Sequence, residues 1–100
     1  MSHRWSRYSR LNKEDTETEE EYLDERIDMY ARYLSMEECK EIVYTLDSEL
    51  PLLESKRECL KLLQGKAKGR TEVSHEASMN AMYVSLHLKM REMLRLDRHH

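Results

Sequence analysis

The chain has no phenylalanine, one tryptophan, two glycines, one proline and two cysteines among its 100 residues. So little glycine and proline leaves few sites for tight turns, which excludes collagen-like, low-complexity and loop-rich all-β compositions. Cys39 and Cys59 are too few for the disulfide framework of a small secreted scaffold, and they are spaced for neither a zinc knuckle nor a Cys-x-x-Cys redox pair. Both stand at apolar positions of helical patterns and read as reduced core thiols. No stretch reaches the roughly 18 consecutive apolar residues of a membrane span. The densest apolar clusters are short ones around Leu50 to Leu53 and Ala81 to Val84. No apolar segment follows the basic first residues, so a secretory signal is not expected, and the acidic run from Glu14 argues against a mitochondrial presequence. The expectation is an intracellular protein, cytoplasmic or nuclear, that is not secreted and makes no membrane contact.

What is abundant is charge and methionine: 37 charged residues stand beside 39 hydrophobic ones, seven of them Met. A chain this short makes one small domain and cannot divide into two independent cores. The net charge of −3 conceals a segregation, since residues 1–13 carry Arg4, Arg7, Arg10 and Lys13 with no acid, whereas residues 14–25 carry eight acids and no Lys or Arg. Such polar blocks bear on partners more than the mean charge does.

Residues 1–16 show no sustained period and are expected to form a flexible basic and aromatic arm. Residues 17–98 are expected to form a single helical domain. The first stripe is Leu23, Ile27, Tyr30 and Leu34, with Thr16 or Thr18 placed to cap it and Glu19 to Glu21 at the positive end of the helix dipole. Ser35-Met36-Glu37-Glu38 has the form of a capping box and opens a second stripe of Cys39, Ile42, Val43 and Leu46. Pro51 ends or kinks that helix, and Ser48 is placed to cap a third with Pro51 in its first turn. Its stripe is Leu52, Leu53, Lys56, Cys59, Leu60 and Leu63, with Lys56 contributing only its apolar stem and Gly65 closing the helix as a left-handed cap. A fourth helix is expected from about Glu72 to Leu96, with Met79, Met82, Leu86, Met90 and Met93 along one seam. At about 1.5 Å per residue it would be roughly 37 Å long, the longest of the four. No window alternates as a strand would. The fold class expected is all-α: a small antiparallel bundle of three to four helices with a long C-terminal helix and a mobile N-terminal arm.

Four constellations bear on function. A Met stripe at helical spacing serves either as core or as a surface adaptable to partner shapes, because Met is flexible and polarisable. The arm His3-Arg4-Trp5-Ser6-Arg7-Tyr8-Ser9-Arg10 repeats arginine every third residue with aromatics between. Arginine contacts phosphate and Trp5 or Tyr8 can stack on unpaired bases, which suits RNA or another single strand, with Lys66, Lys68 and Arg70 as a second basic contact. Glu72-x-x-His75 has the spacing used twice in carboxylate-bridged di-iron bundles, but it occurs once here, and His3, His87, His99 and His100 add no ligand spacing. In Arg70-Thr71-Glu72-Val73-Ser74-His75, an Arg and a His separated by four residues resemble the short motif of HEPN-type helical ribonucleases. That resemblance covers six residues and implies His75 as general base and Arg70 as phosphate contact, with two chains building the site.

No phosphate-binding glycine loop, nucleophile elbow or zinc pattern is present, so an enzyme reading lacks a site and no metal or other cofactor is expected. The expected function is a non-enzymatic interaction module, a regulator, adaptor or assembly subunit. It would bind another protein or itself, as a homodimer or a subunit of a complex, through Met79, Met82, Leu86, Met90 and Met93. A nucleic-acid-binding regulator using the arm comes second, and a HEPN-like ribonuclease is a remote third.

Overall fold

The computed structural model describes the backbone of residues 2–99 and the side chains of residues 17–99. Its regular structure is four helices, α1 (Ser2–Ala31), α2 (Met36–Thr45), α3 (Leu52–Ala67) and α4 (Ala77–Arg98), with no strand among the described residues. The all-α bundle expected from the pattern is the observed architecture.

α1 differs from expectation in starting at Ser2 rather than near residue 17, and at 30 residues it exceeds the 22 of α4. Residues 1–34 contain neither Gly nor Pro, so nothing in the chain interrupts helix propagation before Ala31. The segment expected as an arm therefore has helical backbone over residues 2–16. The side chains of Arg4, Trp5, Arg7, Tyr8 and Arg10 lie outside the described residues.

The core is built from one stripe per helix: Leu23, Ile27, Ala31 and Leu34 at the end of α1, then Cys39, Ile42, Val43 and Leu46, then Cys59, Leu60, Leu63 and Ala67, then Val84 and Leu88. Each fully buried Leu, Ile or Val removed from water stabilises the fold by about 1.5–3 kcal/mol before entropy is counted. α1 packs on α3 and α4, and α2 spans the same two partners. The break at Ser35 is as expected: its hydroxyl accepts from the Glu38 amide at 3.1 Å while the Glu38 carboxylate accepts from the Ser35 amide at 2.9 Å.

Two local expectations are corrected. α3 has no side-chain N-cap of its own, because Pro51 rather than Ser48 occupies that position. The Glu92 carboxyl of α4, held below its usual range first by Arg95, is lowered to a small extent by the nearby Leu52 amide. At the other end α3 runs through Gly65 to Ala67, and the left-handed backbone falls at Gly69, with φ of 82°. Gly69 is the position where a Cβ would strain the turn. α4 also begins later than expected, because residues 70–76 are a loop rather than its first turns.

That loop and the start of α4 close the C-terminus of α1, which carries carbonyls with no intrahelical donor. Arg32 O accepts from the Ser74 amide at 2.8 Å and Tyr33 O from Arg70 Nη1 at 3.3 Å. Asn80, wholly buried, donates from Nδ2 to Ala31 O at 3.3 Å and to Leu34 O, and the Cys39 thiol donates to Ala31 O at 3.9 Å. Asn80 Oδ1 has no partner, so the amide faces the two carbonyls with its donor side. These bonds fix where α4 starts. Its far end is held by arginines: Arg91 donates to Leu46 O at the end of α2, and Arg98 donates to Ser48 O at 3.3 Å.

Candidate interaction face on the last helix

α4 carries two apolar rows. One is small and buried, comprising Ala77, Ala81, Val84 and Leu88 with Asn80 beside them. The other is the methionine seam, and all of it is exposed: Met79 64%, Met82 70%, Leu86 55%, Met90 44% and Met93 69%. At 100° per residue the mean directions of the two rows lie about 170° apart, so the seam faces away from the core. Of the two roles a Met stripe can take, core filling is thus performed by the smaller row. Small residues there let α4 approach the bundle closely, and the bulky thioethers are left outside.

The seam borders a shallow groove of about 750 Å³ between α4 and the junction of α1 with α2, walled by Met36, Met79, Met82, Tyr83 and Leu86. Its polar rim is the Asp28–Arg32 ion pair, 2.9 Å apart, with Lys89 on the α4 side. Tyr83 stacks on His87 with ring centroids 3.9 Å apart, and His87 Nδ1 lies 3.0 Å from Tyr83 O. Burial, and then the nearby Tyr44, hold the Tyr83 phenol above its usual range. Leu94 and Leu96 extend the exposed apolar surface beyond the seam.

The remaining candidate residues are placed elsewhere. Arg70 is bidentate to Glu38 at 2.7 Å on both oxygens, joining the loop before α4 to the capping box of α2. With the Ser35 amide, this holds the Glu38 carboxyl down to about 2. Lys66 lies 3.5 Å from Glu41, and Lys68 stands exposed at the end of α3. Arg70, Glu72 and His75 all lie in the loop between α3 and α4, not on a helix, with His75 exposed. Among the described residues no group of three His, Cys, Asp or Glu side chains is placed to hold a metal ion, and no helix is long and apolar enough to cross a membrane.

Sequence reasoning missed Lys56, whose ammonium is as buried as its stem. The residue is 6% exposed, and Nζ lies 2.9 Å from Asp24 and 3.5 Å from Glu20. It borders a cavity of about 260 Å³ that Asp24, Asp28, Ser85 and Lys89 also line. The eight acids of residues 14–25 were the available signal, since an acidic stretch one helix away supplies counter-charges for a lysine on an apolar stripe. Arg57 uses the same stretch, bidentate to Glu19 at 2.7 Å. Cys39 and Cys59 are fully buried free thiols, as expected. Burial above all raises the Cys39 thiol to about 11 and the Cys59 thiol to about 12.

No protein-family model, no curated protein and no solved structure matches this chain.

Proposed function

We propose that this protein is a non-enzymatic interaction module, a regulator, adaptor or assembly subunit, that engages another protein chain through Met79, Met82, Leu86, Met90 and Met93. The observation that carries the reading is the exposure of all five seam residues, at 44–70%, opposite a separate buried row. Isolated exposed apolar residues are ordinary on a monomer, but an aligned row that the fold does not use is a feature of contact surfaces. Spacing of three and four residues is what a partner helix or groove reads, and methionine adapts its shape to the surface it meets.

The test compares the wild-type chain with a Leu86→Glu, Met90→Glu variant, each recovered from cells with its bound proteins quantified. The expected result is that chains bound by the wild type are lost from the variant while its circular dichroism is unchanged. Equal recovery of the same chains by both proteins would overturn the reading.

A further inference from the structure

The seam has a mirror symmetry in both spacing and composition. Positions 79, 82, 86, 90 and 93 step by three, four, four and three, and their residues read Met-Met-Leu-Met-Met in either direction. A strictly alternating three-four seam has its mirrors between seam residues, whereas here the mirror falls on one, Leu86. Such a mirror suits a self-complementary contact between antiparallel copies of one helix, because a two-fold axis sets each position opposite its reflection. Leu86, the centre of the mirror, stands within two residues of the middle of α4 (Ala77–Arg98).

We infer that the occupant of this face is α4 of a second copy of the chain, packed antiparallel about a two-fold axis at Leu86; this rests on the seam being the interaction face proposed above. Leu86 then meets the partner subunit's Leu86, Met82 meets the partner subunit's Met90, and Met79 meets the partner subunit's Met93. The four steps span 14 residues, the length of two heptads, so the seam drifts only about 40° around the helix over the roughly 21 Å from Met79 to Met93, and two helices stay in contact along it with a slight left-handed twist.

Charge and area agree with this pairing. The seam carries no charge between Met79 and Met93, and Lys89 on its edge comes opposite the partner subunit's Ser85 and Ser78, which are uncharged. Asp97 comes level with the partner subunit's His75, in the loop just before α4, and the two antiparallel helix dipoles attract. Half-exposed Met and Leu side chains leave on the order of 100 Å² each in water, so the seam with its flanks offers roughly 600 Å² per copy. That approaches the about 800 Å² each partner buries in a specific interface and lies at the low end of interface sizes, where weak and transient contacts are found.

The experiment uses light scattering on the wild-type chain and disulfide trapping of single-cysteine replacements at the seam. The native thiols are buried, so Leu86→Cys, Met79→Cys and Met93→Cys each add the only exposed thiol among the described residues. Circular dichroism checks that each variant keeps its helices. The wild-type mass is expected to rise from 12.1 kDa toward twice that value as concentration passes through the micromolar range. Under a mild oxidant such as copper phenanthroline, Leu86→Cys is expected to form covalent dimer, as is an equal mixture of Met79→Cys with Met93→Cys. Met79→Cys alone should cross-link at least about tenfold more slowly, because its copies are held about 21 Å apart along the axis. A mass of 12.1 kDa up to about 300 µM would overturn the inference. So would Met79→Cys alone cross-linking as fast as Leu86→Cys. If the chain is monomeric and the Leu86→Glu, Met90→Glu variant still loses bound proteins, the second copy is refuted and the interaction face stands. If it is monomeric and loses none, both are refuted.

Discussion

Replacing Asn80 tests how the bundle positions its last helix. Its Nδ2 donates to Ala31 O and Leu34 O from a wholly buried site, and Ala31 O keeps the Leu34 amide as a donor when the side chain is removed. Leu34 O loses the Asn80 donor. A buried carbonyl left without a partner costs about 1–3 kcal/mol, and each lost hydrogen bond a net 0.5–1.5 kcal/mol, roughly. Removing the unpaired Oδ1 returns about 1 kcal/mol of that total. The balance for Asn80→Leu, which keeps the volume and removes the donor, is a destabilisation of about 2 kcal/mol. Asn80→Asp should cost more, because a carboxylate would face the two carbonyls as a third acceptor. In urea, with a slope of about 1 kcal/mol per molar for a domain this size, the Asn80→Leu midpoint should fall by about 2 M at unchanged slope. Asn80→Leu unfolding within about 0.5 M of the wild type would refute the argument that these bonds seat α4.

Glu38 is held to about 2 by Arg70 and the Ser35 amide, so its folded value lies below its unfolded one. Its contribution is present above about pH 4.5 and is lost as pH falls toward 2. Glu38→Gln, which forfeits about 1 kcal/mol after solvent screening, should flatten the acid side of the stability profile between those limits, as read by urea titration at stepped pH. Gly65→Ala is expected to stabilise by up to about 1 kcal/mol, since the position is helical with open space around it. Gly69→Ala, at φ of 82°, is expected to destabilise by a similar amount, and a thermal melt in which both changes act in one direction would contradict this. Lys56→Met should be nearly neutral, because Asp24 and Glu20 remain largely hydrated at 58% and 38% exposure. Removing both counter-charges with Glu20→Gln and Asp24→Asn should cost more than Lys56→Met, and equal chemical stabilities would refute the ordering. Cys39 and Cys59, raised to about 11 and about 12, should resist a thiol reagent at pH 8 until the chain unfolds, and fast labelling of native protein would show that the core opens.

The helices were legible where a local rule sufficed. The Ser35–Glu38 box needs only residues three apart, and Leu23, Ile27 and Leu34 repeat at helical spacing, so the α1–α2 junction was placed from the chain alone. Gly65 was misread because either glycine of the connector can end a helix, and the choice of Gly69 follows from Arg70 reaching back to Tyr33 and Glu38 in three dimensions. On α4 the five bulky seam residues are the more prominent stripe beside Ala77, Ala81, Val84 and Leu88, yet only the smaller row fits the close approach that Asn80 fixes. The core row could have been found from its own four-three-four spacing. Asn80 itself had no local signal, since the carbonyls it satisfies lie 46 and 49 residues away. The same holds for Lys56, whose counter-charges belong to another helix.

The most direct test of the central claim is light scattering behind gel filtration on the wild type and the Leu86→Glu, Met90→Glu variant, each across a hundredfold range of concentration. The account requires the wild type to approach twice 12.1 kDa at the upper end and the variant to remain at 12.1 kDa throughout, with equal helicity. Identical masses for the two proteins at every concentration would contradict it.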